Sequence, residues 1–103
     1  MFRRSRFRNL IDRQLDLFER DQAELIGEVD EAERAHRDAP REEAEERYGE
    51  YVDLVETGTE ILADLRDHFA ATLDEDAHAA YEAEFNRAVA KRLPRFALEI
   101  DLR

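Results

Sequence analysis

The chain has 103 residues, a formal net charge of −11 and no cysteine. This length allows one domain with a modest core, and the lack of cysteine excludes disulfides and thiolate metal sites. A charged fraction of 42% with only three Gly and two Pro is typical of long, solvent-washed helices, and so acidic a body disfavours nucleic acid as a general partner.

Residues 1–8 are expected to form a basic N-terminal arm. Its cationic residues are Arg3, Arg4, Arg6 and Arg8, interleaved with Phe2 and Phe7. Arginine and aromatic side chains in alternation suit stacking on bases or contact with an anionic surface, but they equally suit contact with an acidic protein body. A nucleic-acid-associated regulator that uses this arm is therefore an alternative hypothesis, although nucleic acid is not the favoured partner.

Two heptad-spaced apolar patterns lie on either side of Asp38–Pro40. The first comprises Ile11, Leu15, Phe18, Gln22, Leu25, Val29, Ala32 and His36. The second comprises Ala44, Tyr48, Tyr51, Val55, Gly58, Leu62, Leu65, Phe69 and Thr72. Alternating steps of three and four residues keep one stripe of a helix turned toward one partner, so the pattern predicts two long helices folded back as an antiparallel hairpin.

The ends of these two helices are predicted from capping residues. The first helix is expected to start at Ser5 or Asn9, with Asn9 as the cap if residues 1–8 form an arm, and it runs to about Asp38. Pro40 suits the first position of the second helix, which is expected to run to about Leu73. Gly58, inside the second helix, is expected to permit close packing, since a glycine there costs roughly 1 kcal/mol relative to alanine.

A shorter third helix is expected to complete the folded unit, residues 9–93. Asp74 is a good N-cap for this helix, which is expected to end at Leu93 because Pro94 cannot continue it cheaply. The remaining tail, residues 94–103, alternates apolar and polar residues. This pattern predicts an extended segment, with a short helix starting at Pro94 as the alternative.

A narrow apolar stripe on the two long helices predicts self-association. Its members are Leu25, Val29, Tyr48, Tyr51 and Val55. Two helices alone cover such a stripe poorly, so two hairpins side by side would give a bundle, and a homo-oligomer is expected. A different protein that covers the same stripe is the competing interpretation.

Histidine and carboxylate residues suggest a metal-binding bundle as a further alternative. Two Glu-x-x-His pairs end at His36 and His78, but the predicted hairpin places them at opposite ends of the molecule. His68 and His78, with Asp64 one turn before His68, are the better-placed ligands for Zn or Fe. The simpler interpretation makes His68 a half-buried packing residue, and no cofactor is expected.

The pattern as a whole predicts an all-α protein that acts as a non-enzymatic interaction or scaffolding protein. The chain has no Gly-rich phosphate loop, no nucleophile elbow and no Ser-His-Asp grouping. Its apolar runs fall short of the roughly 18 residues that span a bilayer. Asp12 and Arg13 follow the basic N-terminus where a signal peptide would be apolar, so we expect a cytoplasmic protein with no membrane contact.

Overall fold

Five α-helices make up most of the computed structural model, which describes residues 6–103. They are α1 (Arg8–Asp21), α2 (Ala23–Asp38), α3 (Ala44–Ala70), α4 (Glu75–Arg92) and α5 (Ala97–Asp101). Two 3-10 turns, Arg41–Glu43 and Pro94–Phe96, precede α3 and α5. Because no strand occurs among the described residues, the predicted all-α class is confirmed.

The helices pack into an elongated body of 51 × 27 × 22 Å. The most extensive contact is between α2 and α3, while α4 packs against α1, α3 and α5. One continuous core joins all five helices, and its large buried members are Phe7, Ile11, Leu15, Phe18, Val29, Leu62, Tyr81, Phe85, Val89, Phe96 and Ile100. No helix among the described residues is both long and apolar enough to cross a bilayer.

The predicted single first helix is wrong, because the chain bends at Gln22. This residue has φ −111° and ψ 26°, outside the helical region. Backbone hydrogen bonds continue on either side of it, from Gln22 N to Phe18 O and from Ile26 N to Gln22 O. The bend separates two helices with different partners, since α1 packs on α4 whereas α2 packs on α3.

The start of α1 is set by packing, and the predicted Asn9 cap is wrong. The helix begins at Arg8, and Phe7 occupies the N-cap position without a side-chain hydrogen bond. The Phe7 ring lies 5.4 Å from that of Tyr81, and its N–H donates to Glu84 at 3.1 Å. Burial of this aromatic ring therefore fixes where the helix starts.

The predicted N-cap of α4, Asp74, is confirmed. The start and the end of α3 differ from the prediction. Asp74 accepts a hydrogen bond from Ala77 N at 2.9 Å, which satisfies one of the free N–H groups of the first turn. Pro40 precedes a 3-10 turn, so α3 itself begins only at Ala44. This helix ends at Ala70, three residues before the predicted Leu73.

The tail is helical and docked, so the extended conformation predicted for it is wrong and the short-helix alternative is confirmed. Phe96 and Ile100 are buried one helical turn apart, on the face that contacts α3 and α4. The Phe96 ring meets Phe18 edge-on, with ring centroids 6.0 Å apart. An extended strand would need another segment to pair with its backbone N–H and C=O groups, whereas a short helix forms several of these hydrogen bonds within itself.

Candidate interaction surface

A row of aromatic rings crosses from α2 to α3. Tyr48 and Tyr51 are three residues apart on α3, and their ring centroids are separated by 6.4 Å. The His36 ring of α2 lies 5.2 Å from the Tyr48 ring. Tyr48 is 52% exposed, so this row ends in solvent and not in the core.

The tail extends the aromatic row into a larger apolar surface. Arg95 pairs with Asp30 and, at 3.5 Å, with Glu33, which holds the start of the tail against α2. This placement brings Leu98 beside the side chains of α3 and leaves a shallow depression of about 150 Å³. We name this region the Tyr48–Leu98 surface and define it by Tyr48, Tyr51, Val52, Val55 and Leu98.

Exposure of large apolar side chains singles this surface out. Among residues 6–103, only four large hydrophobic side chains are classed as exposed: Leu17, Tyr48, Leu98 and Leu102. Tyr48 and Leu98 line the same depression, and Leu98 is 73% exposed. Single exposed apolar residues need no explanation, but a cluster around a depression is typical of a contact site.

Charged groups frame the surface and affect its tyrosine. Glu56, Arg95 and Glu99 line the depression together with the apolar residues. Burial raises the pKa of Tyr51, the nearby Glu33 carboxylate raises it further, and the Arg95 charge opposes both. The Tyr51 phenol is therefore held in its neutral form well into the alkaline range.

The five residues of the predicted stripe have different surroundings in the structure. Val29 and Val55 are buried within the chain itself, Leu25 and Tyr51 are half-buried, and Tyr48 is exposed. The docked tail lies beside part of this stripe. Tyr48 and Tyr51 thus remain at the surface, whereas Val29 is a core residue that a partner does not reach while the chain is folded.

Leu98 is a surface residue that the sequence prediction missed. The alternating pattern of the tail placed Leu98 on the same face as Phe96 and Ile100. In a helix, Phe96 and Ile100 share a face, whereas a residue midway between them points away. The signal that could have revealed Leu98 is therefore the four-residue spacing of Phe96 and Ile100 directly after Pro94.

The predicted metal ligands do not converge in the structure. His68 Nδ1 lies 3.0 Å from the backbone carbonyl of Asp64, so its contact is with the main chain and not with the carboxylate. His78 contacts Ala70 O through Nδ1 and pairs with Glu82 through Nε2, each at 3.0 Å. Within the described part of the chain, no group of three His, Asp or Glu side chains could hold a metal ion.

Two of the four arginines of the basic arm lie among the described residues. Arg3 and Arg4 lie outside the described residues. Arg6 is exposed, with its guanidinium 5.3 Å from the Phe7 ring centroid. Arg8 lines an open groove of about 590 Å³ between α1 and α4, together with Lys91 and Arg92.

Arg92, one of the cations that line the groove at Arg8, forms ion pairs within the chain. Arg92 pairs with both Asp16 and Glu19 of α1. Its pKa is raised chiefly by the hydrogen bond to Asp16. The cationic groups here are thus partly neutralised by the chain's own carboxylates.

Comparison of the chain with protein-family models, with curated proteins and with solved structures gives no match.

Proposed function

We propose that this chain is a non-enzymatic helical interaction protein that acts as a homo-oligomer through the Tyr48–Leu98 surface. The observation that carries the proposal is the clustering of Tyr48 and Leu98, both exposed, around one shallow depression. Tyrosine suits such a site because it combines a large apolar ring with a polar tip, and it is enriched in protein interfaces.

The proposal includes a specific arrangement of the helices. In it, α2 and α3 act as an antiparallel hairpin with α4 as the shorter third helix, and two copies complete a helical bundle. Contact between α2 and α3 and the short link between Asp38 and Ala44 support this arrangement. A cytoplasmic location is part of the same proposal.

Charge placement favours a second copy as the partner. Arg95 lies at the depression together with Glu56 and Glu99. In a two-fold contact, each surface meets its own copy, so Glu56 and Glu99 of one chain can approach Arg95 of the other, which Asp30 and Glu33 of its own chain already neutralise in part. Such pairing would set the orientation of the two copies, while the apolar side chains supply most of the stabilisation.

The proposal is tested by placing a charge on the surface without disturbing the core. Leu98→Glu suits this purpose because the side chain is exposed, whereas Tyr51→Glu would also put a charge at a half-buried position. We expect Leu98→Glu to shift the protein to monomer in analytical ultracentrifugation while its helical circular dichroism is retained.

The matched control is Leu17→Glu, which introduces the same charge at another exposed leucine, outside the depression. This control should keep the wild-type mass. If Leu98→Glu keeps the wild-type oligomer, or if both variants dissociate equally, the Tyr48–Leu98 surface is not the contact.

A further inference from the structure

The tail packs on the helical body in the manner of a bound peptide. Only Leu93 separates α4 from the turn at Pro94, after which Phe96 and Ile100 are buried against the body while Leu98 faces solvent. Amphipathic helical peptides bind grooves through such anchors spaced three or four residues apart. The tail therefore occupies a groove that is formed by the preceding helices.

The seat for Phe96 depends on a missing side chain. A Cβ atom added at Gly58 would lie 2.5 Å from Phe96 Cε1 and 2.9 Å from Cζ. The aromatic ring consequently rests directly on the backbone of α3, with Phe18 of α1 on its edge. Any larger residue at position 58 would fill this seat.

A buried arginine recognises the backbone of the tail. Arg66 is only 2% exposed, and its Nη1 donates to Ile100 O at 3.2 Å while Nη2 donates to Arg103 O at 2.9 Å. Asn86 Oδ1 accepts a further bond from Nη1 at 3.0 Å. The Ile100 carbonyl also accepts from Arg103 N at 3.3 Å, and Arg103 lies just beyond α5. Arg66 therefore adds hydrogen bonds to main-chain oxygens of the last turn of the tail, and these bonds do not depend on the identity of its side chains.

Ion pairs add selectivity at the two ends of the groove. Arg95 contacts Asp30 and Glu33 of α2 just before the Phe96 seat. Arg103 Nη1 lies 3.6 Å from Glu60 Oε1 of α3. The groove thus offers an aromatic seat, an aliphatic seat, a buried cation for backbone carbonyls and carboxylates for flanking cations.

We propose that this groove is a peptide-binding site that the chain fills with its own residues 94–103 and that the same segment of a second copy can occupy. The ligand is a short helical peptide in which a basic residue precedes Phe, and Ile follows four residues after the Phe. A tethered segment has an effective concentration of the order of millimolar, so a segment in trans enters when the cis segment is weakened. This inference does not require the Tyr48–Leu98 surface to be a contact between copies, although the docked tail supplies Leu98 to that surface.

The test uses the full chain with its own anchors removed, as Phe96→Ala with Ile100→Ala. The probe is a fluorescently labelled peptide with the wild-type sequence of residues 93–103, and its binding is followed by anisotropy. We expect the double variant to bind the peptide at least about tenfold more tightly than the wild-type chain, whose tethered tail competes. A peptide with alanine in place of Phe96 should not bind.

Two matched controls distinguish binding in the groove from nonspecific binding of the peptide. Adding Gly58→Ala to the double variant fills the seat and should weaken peptide binding by roughly tenfold or more. A peptide with alanine in place of Leu98, an exposed residue, should bind as well as the wild-type peptide.

A folded double variant that does not bind the peptide would overturn the inference. If the double variant has lost its helical circular dichroism, addition of the peptide should restore that signal, and failure to restore it is equally contradictory. Because both readouts measure peptide binding, the outcome does not depend on whether the wild-type chain self-associates.

Discussion

Gly58→Ala tests whether the tail docks as described, because the substitution has two opposing effects of known size. In the interior of α3, alanine is favoured over glycine by about 1 kcal/mol. At this site the new methyl group would lie 2.5 Å from Phe96 Cε1. To reach ordinary contact the ring must retreat by about 1 Å, since carbon atoms pack best near 3.5–4.0 Å.

The retreat is costly because the ring has little free space. Phe96 is buried, and its ring also packs against Phe18, with ring centroids 6.0 Å apart. Overpacking of this kind costs typically about 1–3 kcal/mol. The higher helix propensity of alanine offsets about 1 kcal/mol of this cost. Gly58→Ala should therefore lower the free energy of unfolding by about 0–2 kcal/mol.

Gly49→Ala supplies the matched control on the same helix. No atom lies within 4 Å of a Cβ built at Gly49, so only the propensity term acts there. Gly49→Ala should therefore raise the free energy of unfolding by about 1 kcal/mol in urea denaturation. The two substitutions should differ by about 1–3 kcal/mol.

The same substitution in a chain that lacks the Phe96 ring isolates the steric clash between residue 58 and Phe96. In a Phe96→Ala chain the seat is empty, so Gly58→Ala should become stabilising by about 1 kcal/mol, as at Gly49. If Gly58→Ala stabilises the wild-type chain as much as Gly49→Ala does, the Phe96 ring does not rest on Gly58 and the docking geometry is wrong.

Substitutions at three further positions probe individual contacts. Arg66→Met should destabilise the fold and speed amide hydrogen exchange in the tail, because it removes the hydrogen bonds from a buried cation to Ile100 O and Arg103 O, and bonds to charged groups contribute about 1.5–3 kcal/mol each. Arg66→Lys should not restore protection, since an ammonium lacks the guanidinium fork. Burial raises the pKa of Tyr81 in the folded state. The contribution of the neutral Tyr81 phenol to the free energy of unfolding is therefore complete below pH about 10 and is lost as the pH rises through the folded-state pKa. Tyr81→Phe should flatten this alkaline loss in urea titrations, at the cost of the 2.9 Å hydrogen bond to Gln14, and an unchanged slope would contradict the assignment. Asp74→Ala removes the cap bond to Ala77 N and should cost about 1 kcal/mol in the same assay, whereas Asp74→Asn should cost little.

Periodicity predicted the helical class, and capping chemistry predicted the start of α4. Regular spacing of Phe, Leu and Val requires only local geometry, so it can be read from the chain. The Asp74 cap is similarly local, because its partner is three residues away. Both features depend on neighbours in sequence and not on the tertiary arrangement.

The features that the sequence did not reveal depend on distant contacts. The bend at Gln22 follows from the different partners of α1 and α2. The start of α1 depends on Phe7 meeting Tyr81, more than seventy residues away. No local rule contains such information, because in both cases tertiary packing overrides the preference of the local sequence.

The candidate surface was only partly predictable for the same reason. Tyr48 and Tyr51 belong to the heptad pattern, whereas Leu98 joins them only because the tail docks beside α3. Arg66 was also missed, although it lies four residues after Leu62 and seven after Thr59, both buried on one face of α3. A cation at that position of an apolar stripe indicates that acceptors surround it in the fold, and here they are Asp67, Asn86 and two carbonyls of the tail.

Cross-linking between copies tests the central claim most directly. The chain has no cysteine, so Leu98→Cys introduces a single thiol at the centre of the Tyr48–Leu98 surface. With a short bismaleimide linker at micromolar protein concentration, we expect efficient formation of a covalent dimer of twice the 12.1 kDa chain mass. Equal or absent dimer formation by Leu98→Cys and the exposed control Leu17→Cys would contradict self-association through this surface.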